Sequence, residues 1–139
     1  MVELTIDGIK TKVPEGTTVL EAAQYMGIVI PTLCYHPGLS PYGACRICIV
    51  EVIKGNRSSL EASCTLPAAN GQVIITGSEK VKKARRLIIE LLLASCPNSK
   101  TLQDPLHRLL PLRVALRSKF RQLQQCLPRV SVSLRQRIA

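Results

Sequence analysis

Apolar and polar residues alternate from the start of the chain, with Val2, Leu4 and Ile6 spaced by Glu3 and Thr5, and Ile9, Thr11 and Val13 spaced by Lys10 and Lys12. A period of two marks a half-buried strand. Asp7-Gly8 between two such runs predicts a hairpin over Val2–Ile6 and Ile9–Val13. Pro14-Glu15-Gly16 ends the second strand. Thr18-Val19-Leu20-Glu21 fits a capping box, in which the Thr hydroxyl and the Glu carboxylate satisfy the free amides of a helix start. That helix runs through Ala22, Ala23 and Tyr25 to a stop at Gly27. After Ile28-Val29-Ile30, the density of Pro31, Pro37, Gly38, Pro41 and Gly43 predicts an irregular, constrained loop. Ile47–Ile53, Leu60–Leu66 and Val73–Thr76 read as three further strands, with an Asn70-Gly71 turn before the last. Ser78 can cap a final helix from about Glu79 to Ala94. Its predicted apolar stripe is Val81, Ala84, Ile88, Leu91 and Leu92, with Lys80, Lys82, Lys83, Arg85 and Arg86 turned mostly to solvent. The order β-β-α, loop, β-β-β, α predicts an α+β domain whose mixed sheet is crossed by a helix.

Composition limits the possibilities further. A chain of 139 residues is one domain with an appended segment. With no Trp, one Phe and three Tyr, its core must be built from Val, Ile and Leu. The longest apolar run, Leu87 to Ala94, is broken by Glu90 and falls short of the ~18–20 residues of a membrane span. The alternating start has neither the basic nor the apolar region of a signal peptide, so a cytoplasmic location is expected. The net charge of +10 is uneven. Residues 1–100 hold 11 Lys/Arg and 8 Asp/Glu, a balance of +3, whereas 101–139 hold 8 Lys/Arg against Asp104 alone, a balance of +7. The basicity therefore belongs to a tail, 101–139, and says little about the partner of the 1–100 domain.

In a reducing compartment, clustered cysteines more often bind metal or carry redox chemistry than form disulfides. Four of the six are grouped: Cys34, ten residues, Cys45, two residues, Cys48, fifteen residues, Cys64. Each iron of a [2Fe–2S] rhomb takes two thiolates, four in all. A Cys-x2-Cys loop brings two sulfurs onto a small inorganic body with its amides pointing inward. Gly43 and Ala44 before Cys45 allow close backbone approach. Those amides can bond to cluster sulfurs and set the potential. Zinc is the competitor, but structural zinc sites usually carry two such knuckles, or one knuckle and a His pair. The single, pair, single arrangement favours iron–sulfur without eliminating zinc.

The flanking residues add to this. Ile30-Pro31-Thr32-Leu33-Cys34-Tyr35-His36-Pro37, then Tyr42-Gly43-Ala44-Cys45-Arg46-Ile47-Cys48-Ile49-Val50-Glu51-Val52, and Cys64 within Ala62-Ser63-Cys64-Thr65, resemble the [2Fe–2S] signature of one oxidoreductase family. That family includes the N-terminal domain of the large peripheral subunit of NADH–quinone oxidoreductase (complex I), iron-only hydrogenases and NAD-linked formate dehydrogenases. The resemblance covers about residues 2–100, including the Arg-rich helix that closes the domain. It implies a β-grasp, ferredoxin-like fold and gives the ligand role to Cys34, Cys45, Cys48 and Cys64. It further implies electron transfer through one [2Fe–2S] cluster, beside other redox subunits that bind flavin and NADH or belong to a hydrogenase or formate dehydrogenase. Many family members continue with a histidine and three cysteines for a [4Fe–4S] cluster. Ala94-Ser95-Cys96-Pro97-Asn98-Ser99-Lys100 does not match that motif.

The rest of the sequence offers less. Cys96 and Cys126 read as spare thiols, His36 as a loop-packing residue beside Cys34, and His107 has no partner that the sequence suggests. No Gly-rich phosphate loop and no Ser/His/Asp arrangement is present, so no catalytic site of its own is expected. In the tail, Leu112, Leu116, Phe120, Leu123 and Leu127 form one stripe of a basic amphipathic helix, with Arg113, Arg117 and Arg121 off it. Such a helix would lie on a partner or an anionic membrane. Pro105, Pro111 and Pro128 confine it to roughly 112–127. A truncated or frame-shifted gene would also give a tail whose match to the family stops near Asp104. The rival reading of the whole is a zinc-stabilised binding module whose tail contacts nucleic acid or a protein; the iron–sulfur reading expects no nucleic-acid partner.

Overall fold

The computed structural model describes residues 1–95. The tail, Cys96, Cys126, His107 and the expected domain boundary near residue 100 lie outside the described residues. Strands β1 (Val2–Ile6) and β2 (Ile9–Val13) form the predicted hairpin. Its two turn residues, Asp7 and Gly8, both have positive φ, at 48° and 84°, as the commonest two-residue hairpin turn requires. Helix α1 (Val19–Tyr25) starts at the Thr18–Glu21 capping box, with the Glu21 amide donating to Thr18 Oγ1 and the Thr18 amide donating to Glu21 Oε2. No helix or strand occurs between Tyr25 and Ile49, where the Pro- and Gly-rich loop runs.

Strands β3 (Ile49–Lys54), β4 (Arg57–Ala62) and β5 (Gln72–Ile75) complete a five-stranded sheet in the order β2-β1-β5-β3-β4. The β1–β5 pair is parallel and the other three are antiparallel. This is the mixed α+β sheet of a β-grasp, ferredoxin-like fold. Beyond β5, helix α2 (Glu79–Ser95) packs back onto β3. Asp7 closes the parallel seam, accepting from the Thr76 amide at 2.8 Å and from Thr76 Oγ1 at 2.6 Å.

The core is aliphatic, as the scarcity of aromatics requires. Leu4, Ile6, Val13, Val50, Val52 and Ile74 of the sheet meet Val19, Leu20, Ala22 and Ala23 of α1, all essentially solvent-free. Each fully buried Val, Leu or Ile stabilises the fold by about 1.5–3 kcal/mol. Cys48 and Cys64 belong to this same cluster. A smaller second cluster joins Ile89 and Leu93 of α2 to Ile47, with Leu33, Cys45, Ile88 and Leu92 around it. The closing helix thus clamps the loop that carries the cysteines.

One expectation fails on α2. Its buried face is Val81, Arg85, Ile89 and Leu93, whereas Leu91 and Leu87 are exposed. The helix is rotated relative to the predicted stripe, and Arg85, expected to face water, points inward. Among the described residues, no helix is long and apolar enough to cross a membrane.

Candidate metal centre

Two elements bring the four cysteines together. Cys34 and Cys45 sit on the long loop, Cys48 lies just before β3, and Cys64 lies just after β4. Because β3 and β4 pair antiparallel with Ile49 opposite Ala62, the residues flanking that end of the hairpin become neighbours. A separation of fifteen residues in sequence therefore closes in space. All four are free thiols, graded from exposed Cys34 through half-buried Cys45 to buried Cys48 and Cys64.

The thiols pair off. Cys34 and Cys45 each perturb the other's ionisation, and Cys48 raises that of Cys64. The charges of Cys48 and Cys34 both bear on Cys64, so the pairs are adjacent. Two adjacent pairs suit a dinuclear body, which takes two thiolates per iron; a tetrahedral zinc ion needs four donors about one point.

Backbone amides surround the sulfurs. The Cys45 amide, helped by that of Ala44, holds the Cys34 thiol below its ordinary range against the opposing effect of burial. Burial pushes Cys45 upward, partly offset by the Ile47 amide. Cys64 is pushed up to about 12, first by burial and then by its neighbour Cys48, while the Gly43 amide opposes the rise. The amides of Gly43, Ala44, Cys45 and Ile47 therefore lower thiol pKa values here, as donors that stabilise negative charge on sulfur do. The loop needs unusual backbone to do this. Gly43 has φ +68°, and a Cβ there would stand 3.1 Å from Thr65 Cγ2. Arg46, between Cys45 and Cys48, also has positive φ, at 58°, which costs a side-chain-bearing residue about 1–2 kcal/mol.

Two further residues fix Cys48. Ser63 is fully buried, and its Oγ donates to the Cys48 carbonyl at 2.7 Å while its amide donates to the same oxygen at 3.1 Å. Arg85 Nη2 donates to the carbonyl of the next residue, Ile49, at 2.6 Å. Sequence reading passes over both. A Ser beside Cys64 carries no motif, and Arg85 lies in a run of basic residues that reads as a solvated face. The spacing of Arg85, four residues from both Val81 and Ile89, is the one signal that could have found it. His36 stays exposed and holds its own turn, its Nδ1 accepting from the Gly38 amide at 3.1 Å.

Residues 1–79 match the family described as "2Fe-2S iron-sulfur cluster binding domain". The chain belongs to this family. The 2Fe-2S domain is 52% identical over 99 residues to an NADH-quinone oxidoreductase subunit of Mycobacterium bovis, a match covering 70% of this chain and 12% of that protein. It is 43% identical over 96 residues to the mitochondrial NADH-ubiquinone oxidoreductase 78 kDa subunit of Candida albicans, over 69% of this chain and 13% of that one. The chain thus spans about one-eighth of the length of these curated relatives. Among solved structures, a chain of the NAD+-reducing [NiFe]-hydrogenase in its H2-reduced state superposes with a TM-score of 0.67 at 35% identity. That superposition covers 78% of this chain and 48% of that chain. The paired thiols, the amides that act on them, and a glycine with no room for a side chain just before Cys45 fit the group that the family binds. The zinc-module reading is not favoured.

Proposed function

We propose that the chain carries electrons one at a time through a single [2Fe–2S] cluster ligated by Cys34, Cys45, Cys48 and Cys64, and serves a larger oxidoreductase. The observation that carries this reading is the pairing of the four thiols, Cys34 with Cys45 and Cys48 with Cys64, beside the backbone amides of Gly43, Ala44, Cys45 and Ile47. When bound, the cluster supplies a reversible one-electron couple. The residues hold it in place: the thiolates stay ligated in both oxidation states, and the amides of Gly43, Ala44, Cys45 and Ile47 offset the added negative charge. Rigid ligation limits reorganisation, because Cys48 and Cys64 are set in the main core.

The graded exposure gives the site a direction. Cys34 meets solvent, while Cys48 and Cys64 do not. The same loop region exposes the apolar side chains of Val29, Leu39 and Tyr42, which suit a protein partner at the point of electron exchange. We assign that partner to the class the sequence resemblance implies, a subunit that binds flavin and NADH, or a hydrogenase or formate dehydrogenase subunit; the NADH oxidoreductase and hydrogenase relatives support the first two. Substrate chemistry then resides on the partner. In a mediated anaerobic titration, the loaded chain should take up and return one electron reversibly, and NADH alone should not reduce it. Irreversible uptake, or reduction by NADH without a second subunit, would overturn the assignment.

A further inference from the structure

Arg85 is the one strongly buried cation that the described residues show, at 7% exposure, and it occupies the centre of the inward face of α2. Burying a guanidinium costs several kcal/mol unless an anion or a full set of acceptors compensates. Here compensation is incomplete. Nη2 reaches the Ile49 carbonyl, but Nε is buried without a hydrogen-bond partner, and among the described residues no carboxylate forms an ion pair with Arg85. Lys80 pairs with Glu51, Lys82 with Glu79 and Arg86 with Glu90, and Lys83 is exposed to solvent. The negative charges that bear on Arg85 are first that of Cys48 and then that of Asp7. Burial, opposed by Cys48 and Asp7, lowers its pKa from 12.5 to about 10, so it remains a cation at neutral pH.

A cation held in this way next to a candidate ligand matches the chemistry of the group the family binds. A [2Fe–2S] body with four thiolates is a net anion, and one-electron reduction adds a further negative charge without making or breaking a bond. We propose that Arg85 is the buried counter-charge of the cluster, raising its reduction potential while its bond to Ile49 positions the adjoining Cys48. Arg85 is a positioning and tuning residue, not a ligand. A fixed charge outside the ligand set is one of the levers that set such potentials. Burial of Arg85 between Val81 and Ile89, with its bond to the Ile49 carbonyl, holds the guanidinium against β3.

The inference rests on the iron–sulfur reading, and the test separates the two. Potentials are measured by EPR-monitored titration with dithionite on the full chain loaded with its cluster, for the wild type, R85M, R85Q and R85K. Iron, sulfide and the EPR signal of the wild type report on the cluster itself, independently of Arg85. R85M and R85Q are expected to shift the one-electron reduction equilibrium about tenfold toward the oxidised form, about 59 mV in potential. R85K should recover most of that shift. A cluster of unchanged EPR shape and unchanged potential in R85M or R85Q would overturn the proposal. If neither variant retains the cluster, R85K decides: it must load and stay within about threefold of the wild-type equilibrium, and failure to do so overturns the proposal.

Discussion

Ser63 contributes no sulfur, yet its hydroxyl and amide together hold the Cys48 carbonyl. Removing the hydroxyl in S63A leaves one bond on that buried oxygen, and a stability loss of about 1 kcal/mol in urea unfolding is expected. The loss should be larger in cluster-loaded than in cluster-free protein, because Cys48 is then also under constraint. Gly43 is the complementary case, where the absence of a side chain matters. G43A would place a methyl 3.1 Å from Thr65 Cγ2 on a backbone at φ +68°, and a loss of at least about 1–2 kcal/mol is expected by the same assay. At this scale the thiols were legible from spacing and flanking motif, and Gly43 from its place before Cys45. Ser63 and Arg85 were not, because their roles come from a carbonyl contributed by a different element. Sequence periodicity carries no information on which carbonyl a buried donor will find.

Elements with one clear face were legible. The hairpin and α1 with its capping box follow the pattern closely; β3 starts at Ile49 rather than Ile47, and β4 covers Arg57–Ala62 rather than Leu60–Leu66, so that Cys64 lies in the turn after it and not in the strand. Helix α2 was not, since Leu87, Ile88, Ile89, Leu91, Leu92 and Leu93 offer apolar residues on several faces and no unique stripe. Its rotation is fixed instead by polar anchors. At its start Ser78 caps Val81, and Lys80 reaches buried Glu51 at 3.1 Å and Ser58 at 2.7 Å. The hydroxyls of Ser58 and Ser78, and then Lys80, hold the Glu51 carboxyl at about 2, down from 4.5. Because the folded pKa is the lower one, this stabilisation is fully present above about pH 4.5 and is lost as pH falls toward 2. Acid unfolding of E51Q should therefore be shallower than that of the wild type between those values. Equal slopes would show that Glu51 does not couple α2 to the sheet. At the other helix, T18A removes a capping oxygen and should cost about 1 kcal/mol.

For the whole molecule, the mixed sheet sets one end of the β3–β4 hairpin beneath the cysteine loop, and α2 clamps that loop from outside. The core holds the inner thiol pair and the loop presents the outer one. The central claim is that this frame holds one [2Fe–2S] cluster on Cys34, Cys45, Cys48 and Cys64. The direct measurement is iron and acid-labile sulfide content with EPR, on the full chain purified anaerobically and reduced with dithionite. About two irons and two sulfides per chain are expected, with an S = ½ signal that C45S, C48S and C64S each abolish or alter. Zinc in their place, four freely titrating thiols without metal, or an unaltered cluster in any one of those variants would contradict it.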